Sequence, residues 1–405
     1  MPKVSVFTPT NDSQYLDAAY QSLGKQSFQD WEWVVVPNGG VRLPSRIWGD
    51  HRARVVPAPD AMGAVGALKR YAAAQCRGDI LVELDHDDML REDALARIVE
   101  AFEGGAGFVY SDFVEFREDG SSHVYDPAFG WSSYPVRWNG EDYVAMRAFE
   151  PSAATLASIH YAPNHVRAWG RKVYWAVGGH DPALPVCDDY DLVVRTYLAG
   201  VPFTCIHEPL YFYRLRADGG NTYLQRNAEI QARNAALRAK YLDAILEQDC
   251  ARRQLRKIDL GGAHNAPAGF ETVDLRDADI CCDITQGLPF RGGSVGWVRA
   301  YDFLEHIPPA SVPFVMNEIH RVLAPGGWLR SATPSTDGRG AFQDPTHVSF
   351  WNPNSFWYYT DPNYMKYVPA FSGRFRAEMV VQSFPTPWHE ANNIPYVYAD
   401  LSAMK

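Results

Sequence analysis

Cysteine, excess positive charge and long apolar runs are all scarce in this 405-residue chain. Its six cysteines, Cys76, Cys187, Cys205, Cys250, Cys281 and Cys282, form no Cys-x-x-Cys pair and no Cys/His group at zinc spacing, which excludes a disulfide scaffold and a zinc finger. The adjacent Cys281 and Cys282 lie in an apolar stretch and are expected to fill a core as thiols, in keeping with a reducing compartment. Lys and Arg number 38 against 48 Asp and Glu, a net charge of -10, which argues against nucleic acid as a partner. No apolar window is long enough for a transmembrane segment, and MPKVSVFTPT lacks the charged head and apolar run of a signal peptide. The expected location is cytoplasmic. Short-period repeats are missing as well, which excludes a solenoid.

What is present is an ordinary globular balance, 46% hydrophobic and 21% charged, over a length that suits two or three domains. Apolar, β-branched runs at Val4–Thr8, Trp31–Val36, Arg54–Val56, Asp79–Leu84 and Gly107–Ser111 alternate with helical patterns at Tyr15–Gly24, Gly66–Cys76 and Glu92–Phe102. This predicts an α/β fold with a mostly parallel sheet covered by helices. From Tyr125 to Asn164 the chain is rich in aromatics, Pro and Gly without a clean period, and long loops over a binding face are expected. A long helix at Asn227–Gln248, of mixed charge, reads as a connector. The β-α alternation then restarts, with strands at Lys257–Leu260, Glu271–Leu275, Gly296–Tyr301 and Trp328–Thr333, a helix at Val312–Leu323, and a turn at Pro325–Gly327. The expected limits are 1–235 for the first domain, 236–255 for the connector and 256–405 for the second domain.

Three segments of the first half carry chemistry. In ILVELDHDDML, Asp85, Asp87 and Asp88 arrive together at the end of a strand, where ligands of open parallel sheets gather. One residue separates Asp85 from Asp87, so a turn aims both at one cation able to bridge a diphosphate. In GGHDPALPVCDDYDLVVRTYLAG, Asp188 and Asp189 precede an amphipathic helix whose N-terminus stabilises the carboxylate anion. Arg195 on that helix reads as an internal ion-pair partner. The third segment, HEPLYFYRLRADGGN, carries Arg216 and the isolated His207.

With VSVFTPTND and QSFQDWEWVVVPNGG, these segments resemble inverting family 2 glycosyltransferases of the GT-A fold. The resemblance implies a nucleotide-sugar donor held by Thr8, Asn38, Lys69, Asp85 and Arg216, and a divalent cation, Mn²⁺ or Mg²⁺, on Asp85 and Asp87. Asp189 is then the general base, with Asp188 positioning the acceptor. Two departures stand out: Pro37 and Asn38 replace the two aspartates usual near the base, and Arg216 stands where a histidine usually completes the metal site. Arginine ligates no cation but neutralises phosphate oxygens directly. Lys69 and Arg70 occupy the region where the family places a basic residue near the diphosphate.

The second half opens with KIDLGGAHNAPAGFETVDL, a strand, a two-glycine turn and a second strand ending at Asp274. Glycines there permit close backbone approach to a ligand, and a carboxylate at Asp274 suits ribose hydroxyls. Together with CCDITQGLPFRGGSVGWVRAYDFLEHI and NEIHRVLAPGGWL, this segment resembles class I S-adenosylmethionine-dependent methyltransferases, a Rossmann-like fold. The resemblance implies S-adenosylmethionine with its methionine part at Asp259 and Gly261, its ribose on Asp274 and its adenine flanked by Asp283 and Ile284. Glu305 and His306 follow the fourth strand, near the substrate. The glycine spacing departs from Gly-x-Gly-x-Gly, reading Gly261, Gly262, Ala263, His264, Asn265. The aromatic segment Gly338–Tyr359 suits a lid that stacks on a sugar, and its His347 is the candidate base for methylation.

The expected function is inverting transfer of a sugar to an acceptor hydroxyl in surface-glycan synthesis, with methylation of a sugar by the second domain. The partners are a nucleotide-sugar and a glycan or glycoconjugate acceptor, the acceptor drawing the enzyme to the membrane periphery. The alternatives are a nucleobase or small-molecule acceptor, and a second domain that serves as a non-catalytic scaffold or acceptor-binding module.

Overall fold

Val, Ile and Trp concentrate in the first strands because both faces of those strands are covered: Val4, Val6, Trp33, Val35 and Leu81 are fully buried. The computed structural model describes all residues except 61, 160–162 and 264. It divides into two units, Met1–Ile245 and Leu246–Lys405. In the first, β1 (Val4–Thr10), β2 (Trp31–Pro37), β3 (Ala53–Val55) and β4 (Ile80–Glu83) pair in parallel. They are followed by β5 (Met89–Leu90), β6 (Phe108–Arg117), β7 (Ser122–His123), β8 (Ser133–Trp138), β9 (Glu141–Met146), β10 (Ala168–Gly170) and β11 (Phe203–Leu215). Among the described residues these form one eleven-stranded sheet with the path β3-β2-β1-β4-β10-β6-β11-β5.

The mostly parallel sheet expected from the sequence is a mixed one. Three-residue β10 enters antiparallel between β4 and β6, too short to give a periodic signal. The expectation of long loops over 125–164 is also corrected, with residues 160–162 lying outside the described residues. β8 and β9 form an antiparallel hairpin in which Trp138 faces Glu141 across Asn139 and Gly140. Both turn residues have positive φ, 51° and 88°, the requirement of a two-residue hairpin turn that Asn-Gly meets well. The aromatics that masked this pattern are core: Trp138 stacks on Phe212 at 3.8 Å between centroids, and its Nε1 donates to Glu92 at 2.6 Å.

The helix read as a connector runs Asn227–Arg253, and the division between the units falls within it. On the first unit's side Tyr241 donates its hydroxyl to Asp191 Oδ1 at 2.7 Å, and Asp191 also pairs with Arg195 at 2.6 Å, which ties the start of helix Asp188–Leu198 to the body of the unit.

In the second unit β12 (Arg256–Leu260), β13 (Glu271–Asp274), β14 (Ile280–Cys281), β15 (Val295–Tyr301) and β16 (Leu323–Pro334) are parallel, while β17 (Phe375–Ser383) and β18 (Tyr396–Ala403) add an antiparallel edge. The order is β14-β13-β12-β15-β16-β18-β17. Helix Val312–Val322 buries Val312, Val315, Met316, Ile319 and Val322 against this sheet, one face at helical spacing. Cys281 does not fill the core: β14 is a two-residue edge strand that turns Cys281 outward, exposed, and leaves Cys282 partly buried. No helix among the described residues is long and apolar enough to cross a membrane.

Gly66 fixes the helix that carries Lys69. Its amide donates to the Leu184 carbonyl at 3.0 Å, and a Cβ there would fall 2.1 Å from the carbonyl oxygen of Asp181. Gly66→Ala is expected to lower stability by about 1–3 kcal/mol, read from the urea midpoint; an unchanged midpoint would show that this contact yields freely.

Candidate active site

β4 ends on Glu83, a carboxylate 1% exposed in an otherwise apolar strand. Three basic side chains surround it: His180 Nε2 at 2.6 Å, Arg167 Nη1 at 3.7 Å and Lys69 Nζ at 3.8 Å. Burial works to raise the Glu83 pKa, but Lys69 and His180 outweigh it and hold the carboxyl well below its ordinary value. The cluster extends both ways. Lys69 Nζ lies 3.7 Å from Asp85 Oδ1, and Arg167 Nη1 donates to Asp189 Oδ2 at 2.7 Å. Asp85 and Asp189, more than a hundred residues apart in sequence, therefore share one buried network.

Beyond Leu84 the three aspartates diverge in role. Asp88 is fully buried and accepts from the Tyr211 hydroxyl and the Arg214 amide, both at 2.7 Å; the same hydroxyl accepts from the Asp85 amide at 3.1 Å. Asp88 thus shapes the turn and, buried with both oxygens engaged, is not exposed to a ligand as Asp85 and Asp87 are, which corrects the reading of all three as ligand-binding. Asp85 is one-third exposed, with the Lys69 ammonium at 3.7 Å and the His165 ring at 4.0 Å, and Asp87 has Arg216 at 3.9 Å. These distances exceed hydrogen-bond length, so both carboxylates keep lone pairs for a cation. Burial raises the pKa of Asp87, and the nearby Asp85 pushes it further; a cation between them would relieve both effects.

Arg216 is tied to Asp12 at 2.8 Å and Asp218 at 2.7 Å while facing Asp87. His165 stacks on Tyr211 with centroids 4.5 Å apart, and burial pushes its pKa down to about 4, so the ring beside Asp85 is neutral at physiological pH.

The two carboxylates at the start of helix Asp188–Leu198 differ sharply. Burial works to raise Asp189, but Arg167 and Lys69 outweigh it and hold its carboxyl at about 2. Its side chain is 28% exposed. Asp188 points inward, 3.6 Å from His180 Nε2, and burial pushes its carboxyl up to about 6.

In the second unit Asp259 at the end of β12 is buried and pairs through Oδ2 with Arg299, and among the described residues Oδ1 has no partner. Gly261 has φ +75°, and a Cβ there would meet the Phe303 ring at 2.7 Å. Asp274 ends β13, followed by Leu275, 71% exposed. Asp283 caps a 3₁₀ turn by accepting from the Thr285 amide at 2.9 Å. After β15, Glu305 is 2% exposed, and burial pushes its carboxyl up to about 8. Its backbone carbonyl accepts from Val348 and Ser349, both at 2.9 Å, which draws His347 beside His306 with ring centroids 5.0 Å apart.

Residues 5–162 match the family model described as glycosyl transferase family 2, and residues 238–330 match the model described as a methyltransferase domain. These two matches mark a glycosyltransferase-type domain followed by a methyltransferase-type domain. It is similar to the O-antigen biosynthesis protein RfbC of Myxococcus xanthus, 28% identical over 59% of this chain and 18% of that protein. It is also similar to the chondroitin synthase of Escherichia coli, 23% identical over 58% of this chain and 32% of that protein. The chain thus spans under a third of the length of these curated relatives. Among solved structures, the mannosyltransferase PcManGT from Pyrobaculum calidifontis, in complex with GDP-Man and Mn²⁺, is similar with a TM-score of 0.44 and 16% identity, covering 62% of this chain and 69% of that one.

In the glycosyltransferase domain Asp85, Asp87 and Arg216 lie together, and Asp189 joins Asp85 through the buried network. Thr8 is corrected: it is fully buried, and its hydroxyl donates to the Leu84 carbonyl at 2.6 Å while accepting from Trp33 Nε1 at 2.9 Å. It braces the strand ends from within. Lys69, read as a phosphate contact, is 9% exposed and spent on Glu83 and Asp85, so it acts through Asp85. Arg70 instead contacts the carbonyls of Gly178 and His180. Asn38 follows β2, half-buried, its amide donating to the Thr10 carbonyl at 2.9 Å.

In the methyltransferase-type domain Ile284 is 7% exposed and packs in the core, and His264 lies outside the described residues. Sequence reasoning missed Glu83, His165, Arg167 and His180. The one signal was a lone carboxylate inside the apolar run ILVEL; the other three stand in segments without pattern. Two groups of side chains among the described residues have potential metal-ligating atoms within 4.8 Å of one another: Asp112, Cys205 and His207, and Glu305, His306 and His347.

Asp188 links the site to stability. Its folded pKa of about 6 lies above the ordinary 3.8, so the stabilisation it contributes is complete at low pH and is lost as pH rises through about 6. Relative to wild type, Asp188→Asn should therefore gain stability as pH is raised from about 4 to about 7, measured by urea unfolding at each pH. A difference that stays flat would exclude this titration.

Proposed function

We propose that the glycosyltransferase domain transfers a sugar from a nucleotide-sugar donor to an acceptor hydroxyl, with inversion at the anomeric carbon, in surface-glycan synthesis. The observation that carries this reading is the buried network Asp85–Lys69–Glu83–Arg167–Asp189, which links Asp85, a carboxylate with free lone pairs beside Asp87, to Asp189, a carboxylate that stays ionised. A divalent cation, Mn²⁺ or Mg²⁺, would be held by Asp85 and Asp87 and would supply positive charge against the departing diphosphate. Arg216 adds a charge that needs no cation, and Asn38 offers a donor and an acceptor to the base edge.

Asp189 takes the proton from the acceptor hydroxyl as that oxygen attacks the anomeric carbon from the face opposite the diphosphate. Arg167 holds Asp189 ionised at physiological pH and fixes its Oδ2. Asp188, inward and paired to His180, holds the helix start in place. The names of two relatives, an O-antigen biosynthesis protein and a chondroitin synthase, support a glycan acceptor. Such an acceptor would keep a cytoplasmic enzyme at the membrane periphery.

The second domain, with limits we set at 256–405, is read as binding S-adenosylmethionine, which would supply the methyl group for a sugar hydroxyl. The unpartnered Oδ1 of Asp259 suits the ammonium of the cofactor's methionine part, and Asp274 beside exposed Leu275 suits ribose and adenine. Asp283 stands at the next strand end on the adenine side. The closure of Gly261 by Phe303 favours a second reading, a domain of this fold retained as a scaffold.

Asp189→Asn is expected to bind donor nucleotide as wild type does and to lose roughly 10²–10⁴-fold in transfer, measured by nucleotide release with acceptor; unchanged transfer would remove Asp189 from the role. Titration of the full chain with S-adenosylhomocysteine should show one-to-one binding, weakened about tenfold or more in Asp274→Ala. No heat of binding would leave the scaffold reading.

A further inference from the structure

Glu305 is buried to 2% exposure, and among the described residues neither of its carboxylate oxygens has a hydrogen-bond partner. The amides of Phe303 and of Glu305 itself lie close enough to favour the anion slightly, without hydrogen-bond geometry. An orphaned buried carboxylate is costly unless something occupies it. Two imidazoles stand beside it, with ligating atoms of all three side chains within 4.8 Å of one another.

Both histidines have Nδ1 engaged by oxygen atoms. His306 Nδ1 lies 3.2 Å from both the carbonyl and the hydroxyl oxygen of Thr346, and His347 Nδ1 lies 3.1 Å from the Ala341 carbonyl. An Nδ1–H donated to a carbonyl leaves Nε2 with its lone pair, the arrangement in which metal-binding histidines are held. Thr346 in turn donates its hydroxyl to Asp344 Oδ1 at 2.7 Å, and Asp344 Oδ2 stands 3.9 Å from His347 Nε2 at the rim.

We propose that Glu305, His306 and His347 bind one divalent transition-metal ion of the Zn²⁺, Mn²⁺ or Fe²⁺ class. Two imidazoles with one carboxylate suit these ions better than Mg²⁺ or Ca²⁺, which take oxygen ligands. Three protein ligands leave coordination positions for water or for hydroxyl oxygens of a substrate. His347 is then a ligand and not a free base. The other mixed group is less suited: both oxygens of Asp112 are already engaged, by the Tyr134 hydroxyl at 2.8 Å and the Ala148 amide at 2.9 Å, and burial pushes the Cys205 thiol up to about 12. The site rests on the geometry of the second unit alone and stands whether or not that unit methylates a sugar.

The test is titration of the chelator-stripped full chain with Co²⁺, followed by visible absorption and calorimetry. One equivalent should bind with the d–d bands of a nitrogen-containing site, distinct from any Co²⁺ held by oxygen ligands at Asp85 and Asp87. His347→Ala and Glu305→Gln should each weaken that binding by roughly 100-fold, while Asp87→Asn leaves the bands in place. Far-UV circular dichroism and thermal unfolding verify each variant's fold, and His306→Ala replaces Glu305→Gln if the latter fails to fold. Absence of the bands in wild type, bands that persist in both His347→Ala and His306→Ala, or bands lost only in Cys205→Ser would each overturn the proposal.

Discussion

Glu83 is the constraint on which the glycosyltransferase site depends. A carboxylate taken out of water at the end of a central strand is tolerated only if cations accompany it, and it draws in Lys69, Arg167 and His180 from three separate segments. Those segments bring the functional groups with them: Lys69 reaches Asp85, Arg167 reaches Asp189, and His180 reaches Asp188. Removing one partner of such a buried group typically costs about 3–5 kcal/mol. The electrostatic demand of one buried residue therefore also sets the spacing of Asp85 and Asp189, the groups we propose to act on donor and acceptor.

The same network divides labour between like side chains. Asp188 and Asp189 are neighbours, yet one is inward with a raised pKa and the other is partly exposed and held ionised by Arg167. Asp85, Asp87 and Asp88 divide similarly, two keeping free lone pairs and the third consumed by Tyr211 and Arg214. The second unit follows another logic, since among the described residues no ion pair neutralises Glu305; its backbone carbonyl instead gathers the segment that brings His347.

Much of the fold was legible because periodicity survives burial. Most strands of the parallel core and the helix Val312–Val322 fall close to their expected ends, since buried faces demand apolar residues at fixed spacing, but β16 begins at Leu323 and runs through the expected turn Pro325–Gly327 with a shift of register. Where the reading erred, local pattern was outweighed by packing. The hairpin of β8 and β9 hid among aromatics that serve the core, although Asn139–Gly140 marked its turn. Three-residue β10 has no period to read, and Cys281 looked internal because its neighbours are apolar, while a two-residue edge strand turned it outward.

From its sequence alone this chain is two successive α/β units, with acidic residues at a strand end and at a helix start in the first and a two-glycine turn with a following carboxylate in the second. Chain-local chemistry suffices for that much, because residue spacing along a strand or helix is set by backbone geometry. Only the tertiary structure decided which carboxylates remain available, that Thr8 and Lys69 are spent inside the protein, and that His306 and His347 meet at Glu305. Those outcomes depend on contacts between distant segments and on the exclusion of water, which change a side chain's charge and partners without leaving a mark in its own neighbourhood of the sequence.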